Sequence, residues 1–468
     1  MSTFSFETRF GTELRSSDPL KFPGYADRLK LVDELPVVTG GIGRGGHYAL
    51  VMFDFKAGRM GGSMGAVEGQ RIVQTIDWAT DNGRPFVACI SSGGARMEEG
   101  MHALVQMPRI TAAMSRHQKA KLASIGVFNG AVTGGVYIAL GSRTTMRIAG
   151  PGTTIGFAGP AVVKAALGVE PDMECYTSEY AHQRRQIDAI VEPDQQEAWV
   201  SAALGLGRLP LRLGRPVRFP LAPARPPESA TELVANARNP KGPSGIDYVA
   251  GLMSSFVEFG GTDPTLRTGI ADFEGCRVVV IASDRHAGNG LTTVDGFKGA
   301  NRAMKVAQQL GLPLITFVDL SADPSPEKAN MARAIGKAMK RMGNLSVPKV
   351  SFVVGEGGSG GALALTNGNL HLLENSSFFA VIAPELAEAI KSKSLTGVDM
   401  AELMRLQHHQ AIEQGWLSSV VANDYRAIAD AIRTGIESPD RAQDRYARAT
   451  DLALDHSANG AGPSLSLI

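Results

Sequence analysis

Landmarks from the first half of this 468-residue chain come back in the second half at a nearly constant distance. Pro85 heads an apolar run and so does Pro313, 228 residues later; Gly135 and Gly361 are 226 apart, and Pro160 and Pro384 are 224 apart. Spacings that agree this closely, in one order, mark an internal repeat, so both halves must solve the same packing problem. The patterns between the landmarks agree. In the first half, strands are predicted over 48–55, 85–90, 122–128 and 153–157, with Ile72, Val73, Ile76 and Ala79 at helical spacing after the first. A helical pattern over 103–114 contains Pro108, which has to kink or split it. In the second half, strands are predicted over 276–281, 313–318, 350–354 and 378–382, and Met331, Ala334, Ile335, Ala338 and Met342 share one helix face. Strands alternating with helices imply an α/β fold, here two tandem copies of one unit of about 200 residues.

The expected division is a first domain over 20–206, a linker over 207–232, a second domain over 233–437 and a tail over 438–468. Six prolines and five arginines fall in 208–227, too much proline for a helix or a central strand. Residues 1–28 read as a partly ordered lead-in. Lys and Arg total 47 against 46 Asp and Glu, so no global charge draws the chain to nucleic acid or an anionic membrane, and any anionic ligand must be held by a local site. Cys89, Cys175 and Cys276 lie far apart with no C-x-x-C pair, which disfavours a disulfide framework and a structural zinc site; no metal is expected, and a reducing cytoplasm fits best.

Three of the predicted strands run straight into glycine. Residues 86–97 read F-V-A-C-I-S-S-G-G-A-R-M, residues 125–136 read I-G-V-F-N-G-A-V-T-G-G-V, and residues 350–361 read V-S-F-V-V-G-E-G-G-S-G-G before A-L-A-L. Where a strand turns through glycine into a helix start, unpaired N–H groups are exposed and can stabilise an oxyanion or a phosphate without a charged side chain.

These motifs carry a family resemblance. The first half, through residues 60–65, S-G-G-A-R-M at 92–97, T-G-G-V at 133–136 and I-G-F-A-G-P at 155–160, resembles the β subunit of bacterial acetyl-CoA carboxylase carboxyltransferase. The second half resembles the α subunit, through A-R-N-P at 237–240, I-D-Y-V at 246–249, L-P-L-I-T-F-V-D at 312–319 and G-E-G-G-S-G-G-A-L-A-L at 355–365. The resemblance spans about 20–423 and implies two tandem crotonase-like domains (ClpP/crotonase, β-β-α superhelix) that move a carboxyl group between carboxybiotin and the α-carbon of an acyl thioester. It implies one oxyanion hole per half: Gly93 and Gly94 with Gly134 and Gly135 for the thioester oxygen, and Gly357 and Gly358 with Gly360 and Gly361 for the biotin ureido oxygen. Gly61, Gly62, Met97, Phe157 and Gly159 are placed at the substrate, with Arg96 near a CoA phosphate or capping its helix. Biotin would arrive on a separate carrier protein, since Ala303-Met304-Lys305 and Ala338-Met339-Lys340 sit in helical patterns rather than on a hairpin tip. Acyl-CoA or an acyl-carrier thioester, a biotin carboxyl carrier, a biotin carboxylase and a second copy of the chain are the implied partners.

The chain departs from the family in places. No cysteine precedes Cys89, so no zinc ribbon is expected; the loop from 319 to 326 reads D-L-S-A-D-P-S-P, without the family's glycines; and Ala161 stands where the family places an arginine. Three other readings stay open. One is a biotin-independent decarboxylase of malonyl thioesters. Another is a serine hydrolase, because residues 357–361 also satisfy G-x-S-x-G, with Asp399 and His408 or His409 following. The last is an acyl-CoA binder without turnover.

Overall fold

The computed structural model describes residues 4–34, 36–55, 60–216, 218–221, 227–261, 263–321, 330–380, 383–390, 399, 417–439, 446–447 and 449–451. The chain divides into two compact units, Met1–Pro210 with Ser255–Thr262 and Gln308–Gly311, and Leu211–Ser254 with Asp263–Ala307 and Leu312–Ile468. Among the described residues no helix is long and apolar enough to cross a membrane.

In the first unit β1 (Phe6–Phe10), β2 (Val38–Gly43), β3 (Ala49–Phe53), β4 (Phe86–Ser92), β5 (Ser124–Val132), β6 (Met146–Ala149), β7 (Thr154–Ile155) and β8 (Ala189–Ile190) form one sheet in the order β1-β2-β3-β4-β5-β6-β8, with β7 against the end of β5. The first two pairings are antiparallel and those from β3 onward parallel. After β9 (Ser255–Phe259), the plan returns with β10 (Leu266–Phe273) antiparallel to β11 (Cys276–Ser283). Then β12 (Leu314–Leu320), β13 (Lys349–Gly358), β14 (Asn369–Leu373) and β16 (Ser419–Val421) add in parallel, with β15 (Phe378–Ala380) against the end of β13.

The repeat extends to the irregularities. Pairing of β4 with β5 slips by two residues between Ile90↔Phe128 and Ser92↔Val132, and pairing of β12 with β13 slips by two between Val318↔Val353 and Leu320↔Gly357. Beyond the slip each long strand changes neighbour, β5 from β6 to β7 and β13 from β14 to β15. A bulge re-aims the end of a strand, and in both units the re-aimed end carries the glycine turn.

The parallel strands are buried on both faces, which is why they read as continuous apolar runs. In the first unit Ile72, Ile76 and Ala79 of the helix Ala66–Asp81 and Ile110, Ala113 and Met114 of the helix Gln106–Lys119 complete the core with Ala88, Ile90 and Phe128. Each large apolar side chain so buried stabilises the fold by about 1.5–3 kcal/mol. In the second unit Tyr248, Phe317, Phe352 and His371 stack in succession, with ring centroids 5.9, 5.4 and 5.0 Å apart.

The expectation at Pro108 is met by a split: Met101–Leu104 and Gln106–Lys119 are separate helices, and Pro108 sits in the first turn of the second, where its missing N–H costs no helix bond. The lead-in expected over 1–28 is a correction. It holds β1 and the start of the helix Tyr25–Glu34, with Phe4 and Tyr25 buried. The middle of β1 is exposed, so its sequence lacks an apolar run to announce it.

Candidate active site

The first unit brings two glycine turns into backbone contact. The chain leaves β4 through Gly93 and Gly94, the latter at φ +116°, and leaves β5 through Thr133 into the short helix Gly134–Ala139, with Gly134 at φ +63°. A Cβ on Gly94 would lie 3.2 Å from the Gly134 Cα and 3.4 Å from the Gly135 nitrogen, and one on Gly134 would lie 3.0 Å from the Gly94 Cα. Both positions require glycine for dihedral angle and for close approach. The other residues expected at the substrate gather round them. The Gly93 N–H donates to the Gly61 carbonyl at 2.9 Å, the Ser92 hydroxyl to the Gly62 carbonyl at 2.7 Å, and the Gly134 N–H to the Phe157 carbonyl at 2.7 Å. A Cβ on Gly159 would meet the Thr133 Oγ1 at 3.6 Å. Met97 and Phe157 are 84% and 69% exposed, so apolar surface flanks the turns.

Of the four glycine amides expected here, Gly135 alone is left open among the described residues. Gly93 and Gly134 have spent their N–H groups on Gly61 and Phe157, and the Gly94 N–H meets the Ser92 Oγ at 3.1 Å. Met64 and Ala95 form a parallel bridge in which the Met64 N–H donates to the Gly94 carbonyl and the Arg96 N–H to the Met64 carbonyl, both at 2.8 Å. Strand alternation turns the Ala95 N–H away from that bridge. The N–H groups of Ala95 and Gly135 find no acceptor among the described residues. Gly93, Gly94 and Gly134 thus hold the two turns together, and the amides of Ala95 and Gly135 are left open beside them. The linear motif does not single out Ala95; its open amide follows from the bridge with Met64.

Arg96 is also a correction. Its side chain is 1% exposed, so it does not reach a phosphate. Nη2 donates to Glu68 Oε1 at 2.8 Å and to the Ser63 carbonyl at 2.7 Å, Nη1 to the Tyr25 hydroxyl at 3.2 Å, and Glu99 Oε1 lies 3.5 Å from Nη1. Burial disfavours the charged guanidinium, but the charge and hydrogen bond of Glu68 more than offset it and raise its pKa. The Tyr25 hydroxyl, buried and donating to Glu99, is held protonated far above its ordinary range. Nor is Arg96 a side-chain cap for the turn Met97–Glu99 that follows it. Cys89 is buried in β4 and burial pushes its thiol up, so it remains a protonated packing residue.

The second unit holds its glycine turn by a comparable device. The Glu356 N–H donates to Asp319 Oδ1 at 2.9 Å, Asp319 is paired with Arg285, and Arg238 grips the Glu356 carboxylate through two nitrogens at 2.7 and 2.9 Å. Burial pushes the Asp319 carboxyl up, with Arg285 opposing. Here the turn begins later than expected. Gly357 and Gly358 remain in β13, in register with Phe379 and Ala380 of β15, and the five-residue helix starts at Ser359. Gly360 and Gly361 lie in its first turn, and their N–H groups find no acceptor among the described residues. A Cβ on either would meet only Ile335 and Phe297, at ordinary van der Waals distance, so the surroundings are apolar. Of the loop expected at 319–326, residues 322–326 lie outside the described residues, as do His408 and His409; Asp399 is exposed.

A family model described as acetyl co-enzyme A carboxylase carboxyltransferase-like matches residues 229–440. Over 93% of its length the chain is 32% identical to the acetyl-coenzyme A carboxylase carboxyl transferase subunits beta/alpha of Saccharopolyspora erythraea, covering 82% of that protein. The chain belongs to the acetyl-CoA carboxylase carboxyltransferase family. Another relative of this carboxyltransferase, from Mycobacterium bovis, is named "Probable biotin-dependent acyl-coenzyme A carboxylase beta3 subunit" and is 29% identical over 81% of the chain and 77% of the relative. Among solved structures, the transcarboxylase 12S hexamer with methylmalonyl-coenzyme A and methylmalonic acid bound matches at a TM-score of 0.70 and 19% identity, covering 92% of this chain and 87% of that one. The fold of this carboxyltransferase is accordingly two crotonase-like domains in tandem, as the resemblance implied.

Proposed function

We propose that this chain is the carboxyltransferase component of a biotin-dependent acyl-CoA carboxylase, a β-subunit-like half followed by an α-subunit-like half in one polypeptide. What supports the reading, beyond family membership, is the pair of touching glycine turns that leaves the Ala95 and Gly135 amides open. Biotin, carried on a partner protein, would supply the carboxyl group and, once that group is released, a ring nitrogen able to accept the α-proton. The residues of this chain do the rest electrostatically. Ala95 and Gly135 donate to the thioester oxygen as it gains charge in the enolate, and one such preorganised donor is typically worth about 3–4 kcal/mol of barrier. Gly360 and Gly361 offer the matching donors for the ureido oxygen. Exposed apolar side chains at Met97 and Phe157 exclude water beside the first turn once substrate is seated. A homodimer or larger homo-oligomer, a biotin carboxyl carrier and a biotin carboxylase complete the proposed assembly, in the cytoplasm.

The test uses pure protein and malonyl-CoA, with and without free biotin. The carboxyltransferase reading expects acetyl-CoA to form only when biotin is present. Release of CO2 at the same rate without biotin would replace it with a malonyl-thioester decarboxylase, and no turnover in either case would leave an acyl-CoA binder.

A further inference from the structure

The largest fully buried side chain among the described residues is a charged one, Arg96, and no step proposed above uses its charge. A guanidinium and two carboxylates taken out of water are destabilising unless each is well paired. Here they close a ring. The Arg96 N–H bonds the Met64 carbonyl at 2.8 Å while its side chain bonds the Ser63 carbonyl at 2.7 Å and the Ser63 hydroxyl at 3.3 Å. The loop those residues belong to is pinned next to the helix Ala66–Asp81, by the Gly65 N–H on Glu68 Oε2 at 2.9 Å and the Ala66 N–H on Glu99 Oε2 at 2.7 Å. Glu68 Oε1 then returns to Arg96 at 2.8 Å. Glu99 packs so closely that a Cβ on Gly65 would lie 2.5 Å from its carboxylate. The Ala95 N–H shares a peptide plane with the Gly94 carbonyl, which accepts from the Met64 N–H at 2.8 Å, so holding the loop 61–66 against the turn on both sides of Ala95 fixes where that N–H points.

We propose that Arg96, braced by Glu68 and Glu99, is a positioning residue that clamps the turn 92–96 onto the loop 61–66 and so aims the Ala95 N–H at the developing thioester oxyanion. Arg96 touches no substrate. The inference rests on the carboxyltransferase reading. It also explains why the position needs arginine: a planar fork serves two carboxylates and a carbonyl together, and a single ammonium does not.

Arg96→Lys and Glu68→Gln proteins are assayed for biotin-dependent carboxyl loss from malonyl-CoA, with thermal melts alongside. The expected result is a fall in kcat of ~10-fold or more with KM for malonyl-CoA held within about twofold, because the loss is confined to the transition state. Glu68→Gln keeps the guanidinium and an oxygen acceptor for Gly65, so it decides the matter if Arg96→Lys fails to fold. Unchanged kcat in folded Glu68→Gln, or a loss carried by KM alone, overturns the positioning role and leaves the carboxyltransferase reading in place. A wild-type protein that turns nothing over overturns both.

Discussion

Gly94 and Gly134 touch through their backbones, so neither can carry a side chain without separating the two turns. Gly134→Val should lower kcat of the biotin-dependent reaction by about 10²-fold or more, the usual cost of losing one oxyanion donor, while the melting temperature moves by only a few degrees. Steady-state rates and a thermal melt check this, and unchanged turnover would remove the turn from the chemistry. At this scale the glycine doublets made the turns legible in the sequence, but not which of their amides are open. Gly93, expected as a donor, spends its N–H on Gly61, whereas Ala95, to which the motif assigned no role, is open. Hydrogen bonds between segments some thirty residues apart decide such roles, and a linear motif does not record them. Arg96 was misread for the same reason: its partners Tyr25, Ser63 and Glu68 come from other segments.

Among the elements, the long helices and central strands were legible because their burial imposes a period on the sequence. The face of Met331, Ala334, Ile335, Ala338 and Met342 lies on the helix Met331–Gly343. Edge strands such as β1 were not, since an exposed strand has no apolar face to display. The helix Met331–Gly343 yields a stability prediction. Gly336 is exposed and a Cβ there would meet nothing within 4 Å, so Gly336→Ala should stabilise by about 0.8–1 kcal/mol, measured as a shift in the urea midpoint at constant slope. The helix Gln106–Lys119 yields one about pH. Burial depresses the pKa of His117, whose Nε2 lies 3.1 Å from the Ala123 carbonyl, below its unfolded value of 6.5. The unfolded chain therefore binds the proton more readily. The stability is fully present above pH 6.5 and is lost as pH falls below that value through the folded pKa. Unfolding in urea at about pH 7.5 and about pH 5.5 should show the loss, and His117→Gln should flatten it.

For the whole molecule, two sheets with the same strand order and the same two-residue slip explain why the offsets of 228, 226 and 224 stay so nearly constant. The architecture was legible for that reason: a repeated fold preserves spacing even where residues diverge. The start of the second unit's glycine turn was less so, because β13 continues through Gly358 and moves the turn on to Ser359–Leu363. Sedimentation should give a homodimer or larger assembly, and a fully active monomer would refute that part of the proposal. In the proposed mechanism, open peptide amides polarise the thioester oxygen. Infrared spectroscopy of acetyl-CoA labelled with carbon-13 at the thioester carbonyl measures this directly. On binding to the wild-type protein the carbonyl stretch should move to lower frequency, and in Gly134→Val with ligand still bound it should stay at its solution position; an unshifted band in the wild-type complex would contradict the account.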